Sequence, residues 1–182
     1  MGGLGPGIGG FELLVIGLVA LLVVGPKDLP VLMRRVGQMV AKARETVGDK
    51  AQLMYNPVMS FNVEFAARVM ERLQPYRLSW FEEPLMPHDI DGLAQLKRAV
   101  PALPLATGED HQGRHVFFEM AQKRCVDIFQ PDLRIAGGLS EVIRIHTIGE
   151  AAGIPTIPHA GANIPYGQHF SFAMTEAPMA EF

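Results

Sequence analysis

The sequence predicts an α/β fold in which parallel strands alternate with helices, and two patterns support this prediction. Short apolar runs alternate with amphipathic helical segments through the last three quarters of the chain. A carboxylate, an amide or a histidine follows each run, at steps of 26, 27, 23, 27 and 22 residues, an interval that fits one strand, one loop and one helix. We expect these side chains to meet at one rim and to mark an active site: Asn56, Glu82, Glu109, Asp132, His159 and Glu181.

The elements of this pattern follow in order. We predict strands near residues 52–55, 78–81, 105–107, 127–130, 155–157 and 179–182. A helix with a broad apolar face follows the first strand, with Asn62 as its N-cap, and Asp89 or Asp91 caps the next helix. Two more helices are predicted at 114–123 and 139–152, the second closed by Gly153.

Composition limits the class of protein. With 182 residues, 48% hydrophobic residues and a net charge of −3, the chain can bury one ordinary core and has no basic excess that would indicate nucleic-acid binding. The single cysteine excludes an internal disulfide. Cys125 directly precedes a predicted strand, so we expect a buried core residue and not a nucleophile.

The first 45 residues have a different character. Leu13–Val24 is a run of twelve apolar or glycine residues, which as a helix would measure about 18 Å against a hydrocarbon thickness of about 30 Å. The run is too short for an ordinary membrane span, and Lys27 follows it, whereas a signal peptide carries its positive charge first. From Leu29 onward, apolar residues at helical spacing alternate with basic ones, which predicts a helix lying on an anionic membrane surface.

This N-terminal region resembles the start of the TatB component of the twin-arginine translocase. The similarity covers residues 5–44 and depends on the polar Glu12 near the start of the apolar run, the Gly25-Pro26 hinge and the amphipathic helix that follows. It implies a single-pass anchor in the inner membrane, attached through residues 11–44, with other components of the twin-arginine translocase as partners. Basic residues after the apolar run favour a cytoplasmic location for the rest of the chain.

A second resemblance covers residues 46–182. The motifs that carry it are Trp80-Phe81-Glu82-Glu83-Pro84, Ala106-Thr107-Gly108-Glu109, Phe129-Gln130-Pro131-Asp132, Ala136-Gly137-Gly138 and Pro158-His159. They resemble the enolase superfamily in its mandelate racemase branch, and within it the acid-sugar dehydratases of the rhamnonate type. The resemblance implies strands three to eight of a (β/α) barrel, without the capping domain and the first two strands.

The same resemblance implies a chemistry. A dehydratase of this kind removes a proton next to a carboxylate of a sugar acid, and Mg²⁺ stabilises the resulting enediolate electrostatically. The ligand positions map to Asn56, Glu82 and Glu109, although the first is usually an aspartate, so we expect weaker metal binding here. The other roles also follow from the resemblance: His159 as acid and base, Asp132 to orient it, and Glu181 facing the substrate.

Three functional hypotheses follow from the two resemblances, which meet near Arg44–Gly48 without a linker. The first is a membrane-tethered hydro-lyase whose six strands are completed by self-association or by another chain, because an eight-stranded barrel would otherwise stay open. The second is a component of the translocase with a replaced C-terminal region. The third is a chimera without function beyond membrane attachment, whether it arose by fusion, by sequence assembly or by design.

Overall fold

The computed structural model describes residues 29–174 and 177–181, and they form a parallel sheet with helices on its outer face. The four strands follow chain order, β1-β2-β3-β4, and each pairs in parallel with the next. A single bridge between Phe129 and Thr156 extends the sheet beyond β4. The elements are α1 (Leu29–Val47), β1 (Met54–Tyr55), α2 (Val63–Leu73), a 3₁₀ turn (Gln74–Tyr76), β2 (Trp80–Glu82), α3 (Ile90–Ala99), β3 (Leu105–Thr107), α4 (Arg114–Lys123), β4 (Ile128–Phe129), α5 (Leu139–Ala152) and α6 (Pro165–Ala173).

The predicted α/β architecture is thus confirmed as a partial barrel, and the local signals for its helices are confirmed as well. Asn62 caps α2 by accepting a hydrogen bond from the Phe65 amide at 2.9 Å, and Asp89 caps α3 through the Gly92 amide at 2.9 Å. Gly153 ends α5 with a φ of 72°, in the left-handed region that favours glycine.

The sheet has two buried faces because successive side chains point to opposite sides. On the outer face, Phe81, Leu105 and Phe129 are fully buried against the helices. On the inner face, Trp80, Ala106, Ile128 and Ile157 form a separate apolar cluster, against which Met54 and Met179 pack. The inner face is therefore partly covered by the C-terminal segment of the same chain.

The helix that we expected to lie on a membrane is present as α1, but its apolar side packs on the protein. Val36 and Val40 are buried in the main core, where α1 contacts α2. Arg44 is used in the same way, because its guanidinium donates to the carbonyl oxygens of Ala51 at 2.7 Å and Tyr76 at 3.0 Å. An amphipathic stripe shows that a helix covers an apolar surface, and here that surface belongs to the protein and not to a lipid leaflet.

The C-terminal end of the chain also differs from the prediction. Residues 177–181 form no strand, and Glu181 instead accepts a hydrogen bond from the Ala162 amide through its backbone carbonyl at 2.8 Å. A strand needs a hydrogen-bonded neighbour, but the preceding segment contributes only the bridge at Thr156. Between Thr156 and residue 177 the chain forms α6, a helix that the sequence analysis did not predict. It begins at Pro165, and proline is suited to the first turn of a helix.

The predicted membrane run, Leu13–Val24, lies outside the described residues, as do Glu12 and the Gly25-Pro26 hinge. Among the helices that the structure describes, none combines the length and the apolar character needed to cross a bilayer.

Candidate functional site

The structure places the predicted site residues at the carboxyl ends of the strands. Asn56 follows β1, Glu82 ends β2, and Glu109 lies two residues beyond β3. Asp132 follows β4, and His159 follows the bridging residue Thr156. Because the strands are parallel, these ends share one rim, which is the arrangement in which barrel enzymes carry their active sites.

One half of the rim is an ionic chain centred on His159. Its Nδ1 lies 3.0 Å from Asp132 Oδ2, and its Nε2 lies 3.5 Å from Glu109 Oε2. Asp132 is itself held by three hydrogen bonds from Arg134. The backbone amide and Nε of Arg134 donate to Oδ1 at 2.7 and 3.0 Å, and its Nη2 donates to Oδ2 at 2.5 Å. The imidazole is thereby held with one nitrogen against a carboxylate and the other facing the rim.

In this half of the rim, neighbouring groups stabilise the ionised form of Asp132 and the protonated form of His159. Burial opposes ionisation of Asp132, but the hydrogen bonds from Arg134 and His159 outweigh it and hold the pKa of that carboxyl well below its usual range. Burial likewise opposes the charged form of His159, yet its bond to Asp132 and the nearby carboxylates of Glu109 and Glu181 raise its pKa. These neighbours therefore favour the protonated form of the imidazole over the neutral form.

The other half of the rim is built around the buried carboxylate of Glu82. Asn56 Nδ2 donates to its Oε1 at 2.8 Å, while Trp80 Nε1 and Gln130 Nε2 donate to its Oε2 at 2.6 and 3.0 Å. All three donors are neutral, so they fix the carboxylate without cancelling its charge.

Glu109 and Glu181 are carboxyl groups of this region whose surroundings raise their pKa. Burial, opposed in part by His159 and reinforced by Glu83 and Glu82, raises the pKa of Glu109 to about 7. Burial and the neighbouring Glu82 also raise the pKa of Glu181. A raised carboxyl pKa beside other carboxylates indicates a place where a cation would be stabilised.

The expected Mg²⁺ fits this rim only as a hydrated ion. No group of three or more His, Cys, Asp or Glu side chains within 29–174 and 177–181 is arranged to hold a metal by itself. Mg²⁺, however, binds through one or two carboxylates and keeps several waters, which donate hydrogen bonds. Gln130 Oε1 and Glu181 Oε2 are buried acceptors that have no partner among the described residues, and such waters would supply one. The rim therefore fits a hydrated cation held by few protein ligands.

Sequence reasoning missed three residues that shape the site: Trp80, Gln130 and Arg134. Trp80 lies two positions before Glu82 on the same strand, and the period of two predicts that both side chains share a face. Gln130 and Arg134 lie two residues to either side of Asp132. Glu83, next to a predicted ligand, is bonded to the end of β3, because its Oε1 accepts hydrogen bonds from the Thr107 hydroxyl and the Gly108 amide.

Comparison with known proteins assigns most of the chain to one family. A family described as Enolase C-terminal domain-like matches residues 24–182. A protein assigned as an L-rhamnonate dehydratase in Caldivirga maquilingensis is 35% identical over 161 residues, which is 88% of this chain and 40% of that protein. The rhamnonate dehydratase of Gibberella zeae, solved in complex with Mg, has 33% identity and a TM-score of 0.78 over 82% of this chain and 36% of its own.

A further relative shows that other reactions occur on this fold. The 3,6-anhydro-D-galactonate cycloisomerase of Zobellia galactanivorans has 26% identity and a TM-score of 0.73, over 82% of this chain and 43% of its own. The chain thus spans less than half the length of these three proteins.

The family match begins at residue 24 and so includes α1, which the resemblance to the translocase had placed in a separate anchor. Neither the family match nor these relatives support a translocase segment or a chimera. The roles predicted for the individual site residues stay predictions.

Proposed function

Because the chain belongs to the Enolase C-terminal domain-like family, we propose that it forms part of the active site of a Mg²⁺-dependent acid-sugar dehydratase of the rhamnonate type. The observation that carries this proposal is the imidazole of His159, bonded to Asp132 through Nδ1 at 3.0 Å and turned toward Glu109 through Nε2. The rhamnonate dehydratase relatives, one of them complexed with Mg, support the choice of substrate and cation.

In the proposed reaction, His159 Nε2 accepts the proton from the carbon next to the substrate carboxylate. Asp132 keeps the other ring nitrogen protonated and stabilises the imidazolium that forms. When bound through Glu82 and Glu109, Mg²⁺ supplies positive charge that stabilises the developing enediolate.

The imidazolium of His159 then returns its proton to the hydroxyl group on the neighbouring carbon. The bond from that carbon to oxygen breaks, water leaves, and a double bond forms between the two carbons. The resulting enol becomes a 2-oxo acid by gaining a proton at the second carbon and losing the proton of its enol oxygen to solvent, which forms the carbonyl group. Atoms and charges balance without any oxidant or reductant, as a hydro-lyase requires.

The proton transfer can be tested separately from the loss of water. We would incubate the full chain with Mg²⁺ and L-rhamnonate, together with other sugar acids, in D₂O. Exchange at the carbon next to the carboxylate reports proton removal, and a 2-oxo acid product reports dehydration. We expect both signals with the wild type and neither with His159→Asn.

His169→Asn is the matched control, because it makes the same chemical change at an exposed histidine on α6. This variant should behave like the wild type. If folded wild-type protein shows neither exchange nor product with any sugar acid at saturating Mg²⁺, the proposed activity of this chain is refuted.

A further inference from the structure

We infer that Asn56 is a hydrogen-bond donor that positions Glu82, and not a ligand of the cation. The inference rests on the proposed function, since it concerns the metal site assumed there. It departs from the expectation drawn from sequence, in which the amide oxygen of Asn56 replaces a carboxylate oxygen as a ligand.

The first argument is the orientation of the amide. Asn56 Oδ1 accepts a hydrogen bond from the Val58 amide at 2.6 Å, and Asn56 Nδ2 donates to Glu82 Oε1 at 2.8 Å. Exchanging the oxygen and nitrogen positions would place an oxygen against the carboxylate and an NH₂ group against an N–H. Both contacts would then be repulsive, so the neighbours determine which atom points where.

The second argument is the backbone that engages the amide oxygen. Val58 and Met59 have φ values of 52° and 56°, in the left-handed region that β-branched and bulky residues avoid. The Met59 amide donates to the Glu83 carbonyl at 2.7 Å, which fastens this turn to the end of β2. Asn56 Oδ1 therefore stabilises a strained turn, and using it as a ligand would weaken that bond.

The third argument is the completeness of the shell around Glu82. With Asn56 included, each carboxylate oxygen of Glu82 receives at least one N–H donor from a neutral side chain. The carboxylate is thus held in one orientation before any cation arrives. The remaining ligands of a cation would come from Glu109 and water, so the site should bind Mg²⁺ more weakly than one with a third carboxylate.

Two substitutions separate the donor from the ligand role. Asn56→Asp keeps an oxygen for the Val58 amide but replaces the donor to Glu82 with a second carboxylate. Asn56→Ala removes both groups. Asn62→Asp is the matched control, because it makes the same chemical change at an exposed N-cap, a position that aspartate also favours.

Trp80 provides the readout. It is the only tryptophan in the chain, and its Nε1 donates to Glu82 Oε2 at 2.6 Å. A cation that binds Glu82 changes the electric field at this indole, so Mg²⁺ titrations can be followed by tryptophan emission without substrate. Thermal melts in EDTA report the hydrogen bond from Asn56 to Glu82 in the absence of metal.

We expect Asn56→Ala to change the dissociation constant for Mg²⁺ by less than about threefold, because it removes no ligand. Asn56→Asp should tighten binding by at least about tenfold through the added charge. In EDTA, Asn56→Asp should melt below Asn62→Asp, because two carboxylates then face each other.

Two results would overturn the inference. One is loss of the Mg²⁺ response in Asn56→Ala while Asn62→Asp keeps it, which would make Asn56 a ligand. The other is equal melting of Asn56→Asp and Asn62→Asp in EDTA, which would remove the donor role. If neither the wild type nor any variant responds to Mg²⁺, the proposed metal site is refuted. The melts in EDTA would still show whether Asn56 acts as a donor to Glu82.

Discussion

The packing of α1 on the α/β fold can be tested with two adjacent residues. Val40 is 4% exposed and lies in the main core, whereas Met39 is 55% exposed. Val40→Ala removes two methyl-sized groups from the core, and at about 0.8 kcal/mol for each this costs about 1.6 kcal/mol. Incomplete collapse of the cavity raises the expected loss to about 2 kcal/mol.

The assay is urea or thermal unfolding followed by circular dichroism. A loss of about 2 kcal/mol lowers the Tm of a chain of this size by about 4–8 °C. Met39→Ala, the matched control, should stay within about 0.5 kcal/mol of the wild type. Equal unfolding of both variants and the wild type would refute the packing of α1 and would favour a helix that contacts something other than this domain.

Three further predictions concern other parts of the fold. Cys125 is fully buried, and burial raises the pKa of its thiol to about 11, so it should resist a disulfide reagent at pH 8 in the native protein and react in guanidinium; rapid native reaction would contradict this. Gly108→Ala should unfold more easily than Gly153→Ala, since a Cβ at Gly108 would lie 2.7 Å from the Phe117 ring whereas Gly153 has open space; equal Tm values would contradict this. In EDTA the protein should lose stability as the pH rises from about 4.5 to about 7, because folding raises the pKa of Glu109 to about 7 and so favours its neutral form. Thermal melts of the wild type and of Glu109→Gln at pH 5.5 and pH 8 measure this loss. A wild type that is more stable at pH 8 than at pH 5.5 would refute the prediction.

The features that the sequence predicted well are local ones. The helices α4 and α5 have the predicted bounds, Arg114–Lys123 and Leu139–Ala152, because periodicity and capping residues act within a few positions. The strand ends were also predictable, since the spacing between polar residues reflects one repeated β–α unit. The rim could therefore be located before its contacts were known.

The features that were mispredicted or missed depend on partners that are distant in sequence. The stripe of α1 predicts an apolar contact but does not say whether protein or lipid provides it. Gln130 reaches Glu82 across 48 positions of the chain, a contact that no local pattern specifies. The left-handed turn at Val58 is also invisible in sequence, because β-branched residues usually avoid that conformation.

The two halves of the rim treat negative charge in opposite ways. Arg134 and His159 both bond the carboxylate of Asp132, which in the proposed reaction orients the imidazole. Among the described residues Glu82 receives hydrogen bonds only from neutral donors, and Glu109, whose pKa is raised mainly by burial, lies close to it. A sugar acid is itself an anion and would be repelled by these carboxylates. The proposed cation therefore has two functions, since it must attract the substrate to the rim as well as stabilise the enediolate.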